Sequence, residues 1–352
     1  MRTEARHIDL NGSHGEGGGA LFRTALQMSA LTQQPVTVRS IRGALRKPGL
    51  NAEDLTFLQA IGAACGADVD DADLRSDRIT FQPRHMPRAV NTLLDIHAHE
   101  QGMVPGSALV VAQSLAVVLC RAGAWSRLTV AGETHGAHVL GYDAFERSTC
   151  RVHEVQGLVI LPTLQTAGFG YGARGEISVD IEPGACEPLQ WTSRGRLQEC
   201  GLVLTHNGQP DRFVETQVEA ARQLLSAKAL DPEVEVVPVH ARATGACLTI
   251  WARYERGMGS GSASIGKIPA DQLAFAACRS FNDWHDSAST VDAYLADQAL
   301  IPAVLADGKT VFSTSFITRR LITMAWVIKQ FLPVKITILG REGEPGTVTI
   351  EK

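Results

Sequence analysis

The residues with the clearest chemical potential form one stretch, Gly12-Ser-His-Gly-Glu-Gly-Gly-Gly-Ala-Leu-Phe-Arg23. Gly15, Gly17 and Gly18 tolerate positive φ and let backbone amides approach a phosphate closely. The helix expected to follow adds the positive end of its dipole. Glu16 is placed to hold a divalent cation, Mg²⁺ or Mn²⁺, beside nucleotide phosphates, and Arg23, one turn into the helix, to neutralise phosphate oxygens. No Gly-Lys-Ser/Thr follows, so this is not a P-loop, and a tight structural turn has the same composition. A second set of candidates is histidine-rich: His97, His99, His135 and His138 together suit a metal or supply a nucleophile, while separately they read as loop histidines. A third is Tyr294, Asp297 and Gln298, whose i, i+3, i+4 spacing puts them on one helix face.

These residues must be positioned by elements that recur along the chain. The glycine stretch lies between a β-rich run at His7 and a helix over 20–31, where Leu21, Phe22, Ala25, Leu26 and Ala30 repeat at helical spacing. A strand is predicted over 36–41, then a helix that Asn51 caps, with Glu53 and Asp54 in its first turn and a stop near Gly66. A looser copy begins with a helix capped by Ser107 and continues through a strand at 128–131 and a helix near 142–151. A third copy reads as a helix over 290–305, a strand at 310–313, a helix over 317–331 and two closing strands. The repetition predicts an α/β (α+β) fold of repeated units. The rhythm breaks in the middle, where strand-like runs at 201–205, 233–239 and 246–252 surround a helix at 212–229. The expected organisation is a main domain, 1–183 and 279–352, with a small α/β domain, 184–278, inserted.

Composition sets the bounds. The chain has 352 residues, 45% hydrophobic and 20% charged, with a formal net charge of −4. That composition suits a folded soluble protein and gives no global basic signature, so any RNA contact must come from a local basic cleft. The charged start does not resemble a signal peptide, and no apolar run reaches the about 18 residues of a membrane span. Seven scattered cysteines without a C-x-x-C pair point to reduced thiols and a cytoplasmic location.

Three motifs carry a resemblance. Gly15-Glu-Gly-Gly-Gly-x-x-x-Arg23, Ile41-Arg42 with Lys47-Pro-Gly-Leu50, and Tyr294-Leu-Ala-Asp-Gln298 occur in the order and spacing of the RNA 3′-terminal phosphate cyclases. With the Phe331-Leu-Pro333 run, the chain resembles that family over nearly its whole length. The resemblance implies repeated βαβαββ-type units, as also in enolpyruvyl transferases, with a smaller inserted domain. It implies an ATP-dependent ligase, forming AMP, that converts an RNA 3′-phosphate to a 2′,3′-cyclic phosphate through a nucleotidylated histidine. Glu16 then takes the metal, Arg23 and Arg42 contact phosphate or RNA, Tyr294 stacks on adenine, and Asp297 and Gln298 line the nucleotide pocket.

The departures bear on chemistry. Counting back from Phe331 puts Arg320, beside Arg319, where the family has its nucleophilic histidine. Arginine keeps its proton and is no ready nucleophile, though it clamps phosphate well; a solvated basic pair is the plainer alternative. Leu45 and Glu53 replace the family's usual Arg and Gln, and the loop Gly132-Glu-Thr-His-Gly-Ala-His138 lacks the family's proline. Three functions follow in order: an active RNA-end enzyme with a modified mechanism, an inactive RNA- or protein-binding relative, and a different nucleotide or small-molecule enzyme on the same scaffold.

Overall fold

The computed structural model describes residues 6–99, 104–136, 141–266 and 268–352. The first unit runs β1 (Ile8–Asn11), α1 (Gly19–Thr32), β2 (Val36–Arg39), α2 (Ala52–Cys65), β3 (Asp68–Asp70) and β4 (Arg78–Gln82). Its sheet has the order β1-β2-β4-β3, with β1 parallel to β2 and the other pairs antiparallel. The Asn51 side chain accepts the Asp54 amide at 2.8 Å to start α2, and Gly66, at φ 56°, ends it.

The second unit repeats that topology. It comprises β5 (Asn91–Asp95), α3 (Ala108–Leu119), β6 (Ser126–Gly132), α4 (Tyr142–Ala144), α5 (Cys150–Val155), β7 (Ile160–Thr166) and β8 (Gly175–Ile181). A π-helical turn, Phe145–Thr149, joins α4 to α5. The sheet order is β5-β6-β8-β7, again with the first pair parallel. In β8, Ile177, Val179 and Ile181 are buried and alternate with half-buried polar residues, as a sheet with one covered face requires.

The third unit opens at 189–191, where Val311 donates to the Leu189 carbonyl at 2.7 Å and Trp191 donates back to Val311 at 2.8 Å. The chain then leaves to form β9 (Leu197–Asn207), α6 (Asp211–Ser226), β10 (Glu233–Pro238), β11 (Gly245–Tyr254), β12 (Gly257–Ser264) and α7 (Leu273–His285). This sheet, ordered β10-β9-β11-β12, has its own core around Leu202, Leu204, Ile250, Phe281 and Trp284. The chain returns as α8 (Ala293–Gln298), α9 (Leu300–Leu305), β13 (Thr310–Thr314), α10 (Arg319–Phe331), β14 (Lys335–Leu339) and β15 (Gly346–Glu351). The parallel bridge between Gln190 and Val311 stands where β1–β2 and β5–β6 stand in the other units. The insertion therefore splits the third unit after its first strand.

Two expectations change. The boundary at 278/279 cuts through α7, whose Phe281 and Trp284 pack in the small core, while 189–191 pairs with the main body. The inserted unit thus lies between 191 and the return at Val291, which donates to the Ser313 carbonyl at 2.9 Å. The helix expected over 290–305 is two helices. Asp292 caps α8 by accepting the Leu295 amide at 2.7 Å, and Pro302, having no amide hydrogen, cannot bond the Gln298 carbonyl.

The helices of the three units pack together on one large core that includes Phe22, Phe57, Val111, Leu300 and Val327. Among the described residues, no helix is long and apolar enough to cross a membrane.

Candidate active site

A cleft of about 410 Å³ opens where the three units meet. The start of α1 and the first turn of α2 form one wall, the 105–107 turn and α3 a second, and α8 with Arg320 of α10 a third. Repetition thus brings three helical layers to one point, and polar residues near the helix ends line it.

The glycine-rich loop is held from α10. The Glu16 amide donates to Thr323 Oγ1 at 2.9 Å, and Gly15 sits at φ 60°, where a Cβ would lie 2.1 Å from that same oxygen. Positive φ and the lack of space both require glycine there. Glu16 turns back so that Oε1 accepts the Leu21 amide at 3.2 Å. Among the described residues, the amides of Gly18, Gly19 and Ala20 donate to no protein group, and all three residues line the cleft. Unsatisfied amides at a helix start suit an anion.

Arg23 and Arg42 are not free cations. Arg23 Nη1 lies 2.9 Å from Glu53 Oε1 and 2.5 Å from Asp54 Oδ1, and Arg42 Nη1 lies 3.1 Å from Asp54 Oδ2. Asp54 is fully buried beneath both. Burial works against the Arg23 charge, but Asp54 and then Glu53 outweigh it and raise its pKa above the ordinary value. Burial also raises the Glu53 pKa, against the pull of Arg23. Glu53 Oε2 accepts the Ser107 amide at 2.8 Å, so this carboxylate ties the 105–107 turn to α1 as well. Sequence reasoning read Glu53 and Asp54 as complements to the dipole of α2. Their cross-links lie about 30 residues away in sequence and leave no local pattern.

On α8, Tyr294, Asp297 and Gln298 all line the cleft. The Tyr294 hydroxyl donates to Gln113 Oε1 of α3 at 2.8 Å, and burial pushes its pKa up to about 12. Asp297 is 1% exposed, and burial pushes its carboxyl up to about 7 despite the opposing Arg320. Thr318, the N-cap of α10, donates its hydroxyl to Asp297 Oδ1 at 3.1 Å. Arg320 Nη1 stands 3.5 Å from Asp297 Oδ2, an ion pair looser than a hydrogen bond, with the Arg320 side chain 46% exposed. Arg320 is therefore less committed than Arg23 or Arg42. Arg319 turns away to Glu342, at 2.9 Å.

Of the four candidate histidines, the three that are described, His97, His99 and His135, do not line the cleft. His135 is buried against Phe169, its Nδ1 2.9 Å from Thr134 Oγ1 and its Nε2 3.5 Å from Asp143. His97 sits beside Asp95, at 3.5 Å, and His99, like His97, is half-buried. His138 lies outside the described residues. Among those described, no three His, Cys, Asp or Glu side chains are grouped to hold a metal. Glu133, from the same loop as His135, does line the cleft and accepts the Gly172 amide at 2.6 Å. In the sequence Glu133 stands in the altered loop 132–138, where the histidines drew the attention, and Gln113 stands in no motif.

Fold and cleft together define an α/β protein of repeated βαβαββ units with an anion-receptive site between them. The chain belongs to the RNA 3′-terminal phosphate cyclase family, whose profile matches residues 14–338. It is 31% identical over 348 residues to the RNA 3′-terminal phosphate cyclase of Methylococcus capsulatus, covering 97% of this chain and 96% of that one. It is 29% identical over 326 residues to the Nostoc punctiforme cyclase, covering 92% and 94% respectively. The Archaeoglobus fulgidus cyclase is also 29% identical, over 336 residues, covering 95% and 98%.

Proposed function

We propose that the protein is an ATP-dependent RNA-end enzyme that converts a 3′-terminal phosphate to a 2′,3′-cyclic phosphate without forming a nucleotidylated histidine. Family membership and the relatives' names support the reaction class. The observation that carries the modified mechanism is Arg320, standing in the cleft beside Asp297 where the family's nucleophilic histidine is expected. A protonated guanidinium does not attack phosphorus, but it neutralises charge on phosphoryl oxygens.

The direct route balances in two steps. A 3′-phosphate oxygen of the RNA attacks the α-phosphorus of ATP and pyrophosphate leaves, giving an RNA–adenylate anhydride. The terminal 2′-hydroxyl then attacks the 3′-phosphorus, loses its proton, and releases AMP as the ring closes. Both are phosphoryl transfers, which depend mainly on positioning and charge neutralisation. In this reading the free amides of Gly18, Gly19 and Ala20 receive phosphate oxygens, Tyr294 and Gln298 bound the adenine side, and Arg320 bridges the reacting phosphates. Asp297 holds Arg320 and is placed to accept a proton.

A divalent cation, Mg²⁺ or Mn²⁺, belongs to this reading: Glu16, which lines the cleft, would hold it together with phosphate oxygens, since the described residues offer no cage of protein ligands. When bound, it supplies neutralisation of the polyphosphate. A cytoplasmic location goes with this reading.

A second reading has one observation in its favour. Arg23 and Arg42 are already neutralised by Glu53 and Asp54, which suits an inactive family member that binds RNA or a protein. Incubation with ATP, Mg²⁺ and RNA ending in 3′-phosphate separates the two. Cyclic ends support the enzyme, and unchanged ends in the presence of bound RNA support the binder.

A further inference from the structure

His14 stands two residues before Glu16, so its Cα lies within about 7.6 Å of that of a cleft residue. Its side chain is exposed, yet its imidazole lies on the indole of Trp326, with ring centroids 3.9 Å apart and planes inclined by 24°. The loop does not need this stack to close. It is already fixed by the Glu16 amide on Thr323, the His14 amide on the Asn11 carbonyl at 3.0 Å and the Gly17 amide on the His14 carbonyl at 3.0 Å. One face of the imidazole is thus supported by a large ring, while the exposed residue presents the other to solvent.

The surroundings are basic. Lys329 follows Trp326 by one turn of α10 and is exposed. Arg46 and Lys47 are exposed in the neighbouring loop, whose Gly43 and Ala44 abut Ser13 and Gly17. Among the described residues, none of these three cations has a carboxylate partner. A supported flat ring flanked by unpaired cations is how proteins hold single-stranded nucleic acid, the ring taking a base and the cations the backbone.

We propose that the exposed face of His14, backed by Trp326, is a stacking subsite for a nucleobase of the RNA strand whose 3′ end enters the cleft. The proposal rests on the RNA-end reading and adds to it a contact upstream of the reacting phosphate. It makes binding sensitive to the presence of a base, and tolerant of its identity, at one position near the 3′ end.

The test is fluorescence anisotropy with 5′-labelled oligoribonucleotides ending in 3′-phosphate, in which a single abasic residue is moved through the last few positions. The expected result is one position at which base removal weakens binding by about 5- to 150-fold, the range of a single base–aromatic stack. His14→Ala should weaken binding of the intact RNA by the same factor and become indifferent to the abasic residue there, while His14→Phe should restore the wild-type pattern. Wild-type affinity in His14→Ala, or an equal loss for intact and abasic RNA, overturns the stacking subsite and leaves the RNA-end reading standing. Weakened ATP binding with unchanged RNA binding assigns the platform to the nucleotide and likewise overturns it. No RNA binding by the wild-type protein overturns both.

Discussion

Arg320 of α10 reaches over Asp297 of α8, its Nη1 3.5 Å from a carboxylate that is 1% exposed. The pair joins a fixed cation to an acid that burial holds near pH 7. Because the folded pKa is raised above the unfolded value of about 3.9, the protonated form favours folding. That contribution is complete below about pH 4 and is lost as pH rises through about 7. Asp297→Asn, which resembles the protonated state, should therefore gain thermal stability over wild type between pH 5 and pH 8. A difference in melting temperature that does not change with pH would contradict the assignment.

Asp54 accepts from both Arg23 and Arg42 while fully buried. Asp54→Ala leaves two guanidinium groups without their shared partner and should cost about 3–5 kcal/mol in urea denaturation, as broken buried pairs do. A loss below 1 kcal/mol, roughly the scale of a surface pair, would show that the network is solvated.

Glu53 binds both Arg23 and the Ser107 amide. Glu53→Gln keeps an acceptor for the amide but removes a charge that holds Arg23. ATP should then bind severalfold more tightly in calorimetry, with global stability little altered. Unchanged or weaker ATP binding would mean that Arg23 takes no part in anion recognition.

Gly15 combines φ 60° with a Cβ direction that ends 2.1 Å from Thr323 Oγ1. Gly15→Ala should destabilise the protein by about 1–3 kcal/mol, the cost of local strain, and reduce ATP binding more than it shifts the melting temperature. Wild-type ATP affinity in this variant would separate the loop from the nucleotide.

Much of this arrangement is legible in the sequence, for local reasons. The caps at Asn51 and Ser107, the Gly66 stop and the apolar repeat of α1 are short-range signals, and each marks an element that the structure contains. Strand β12 is illegible because Gly259 and Gly261 replace the usual apolar residues. A Cβ at Gly259 would lie 2.3 Å from Trp284, and one at Gly261 2.1 Å from the Phe281 amide nitrogen, so close packing of α7 removes the pattern. The split third unit is hidden because its first strand and its partner β13 are separated by the whole insertion. At the cleft, motif residues such as Glu16, Tyr294 and Gln298 could be named in advance. The neutralisation of Arg23 by Glu53 and Asp54 depends on α1 and α2 packing side by side, which spacing alone does not encode.

In the proposed reaction cyclisation proceeds by direct transfer, with Arg320 as a charge clamp in place of a covalent nucleophile. The most direct measurement is incubation of the protein with α-labelled ATP, Mg²⁺ and RNA ending in 3′-phosphate, followed by denaturing gels and end-group analysis. Direct transfer should give cyclic phosphate ends and released AMP, with no label on the protein at any time and sharply reduced product in Arg320→Ala. Label retained covalently on the protein, or unchanged RNA ends with ATP and RNA both bound, would contradict it.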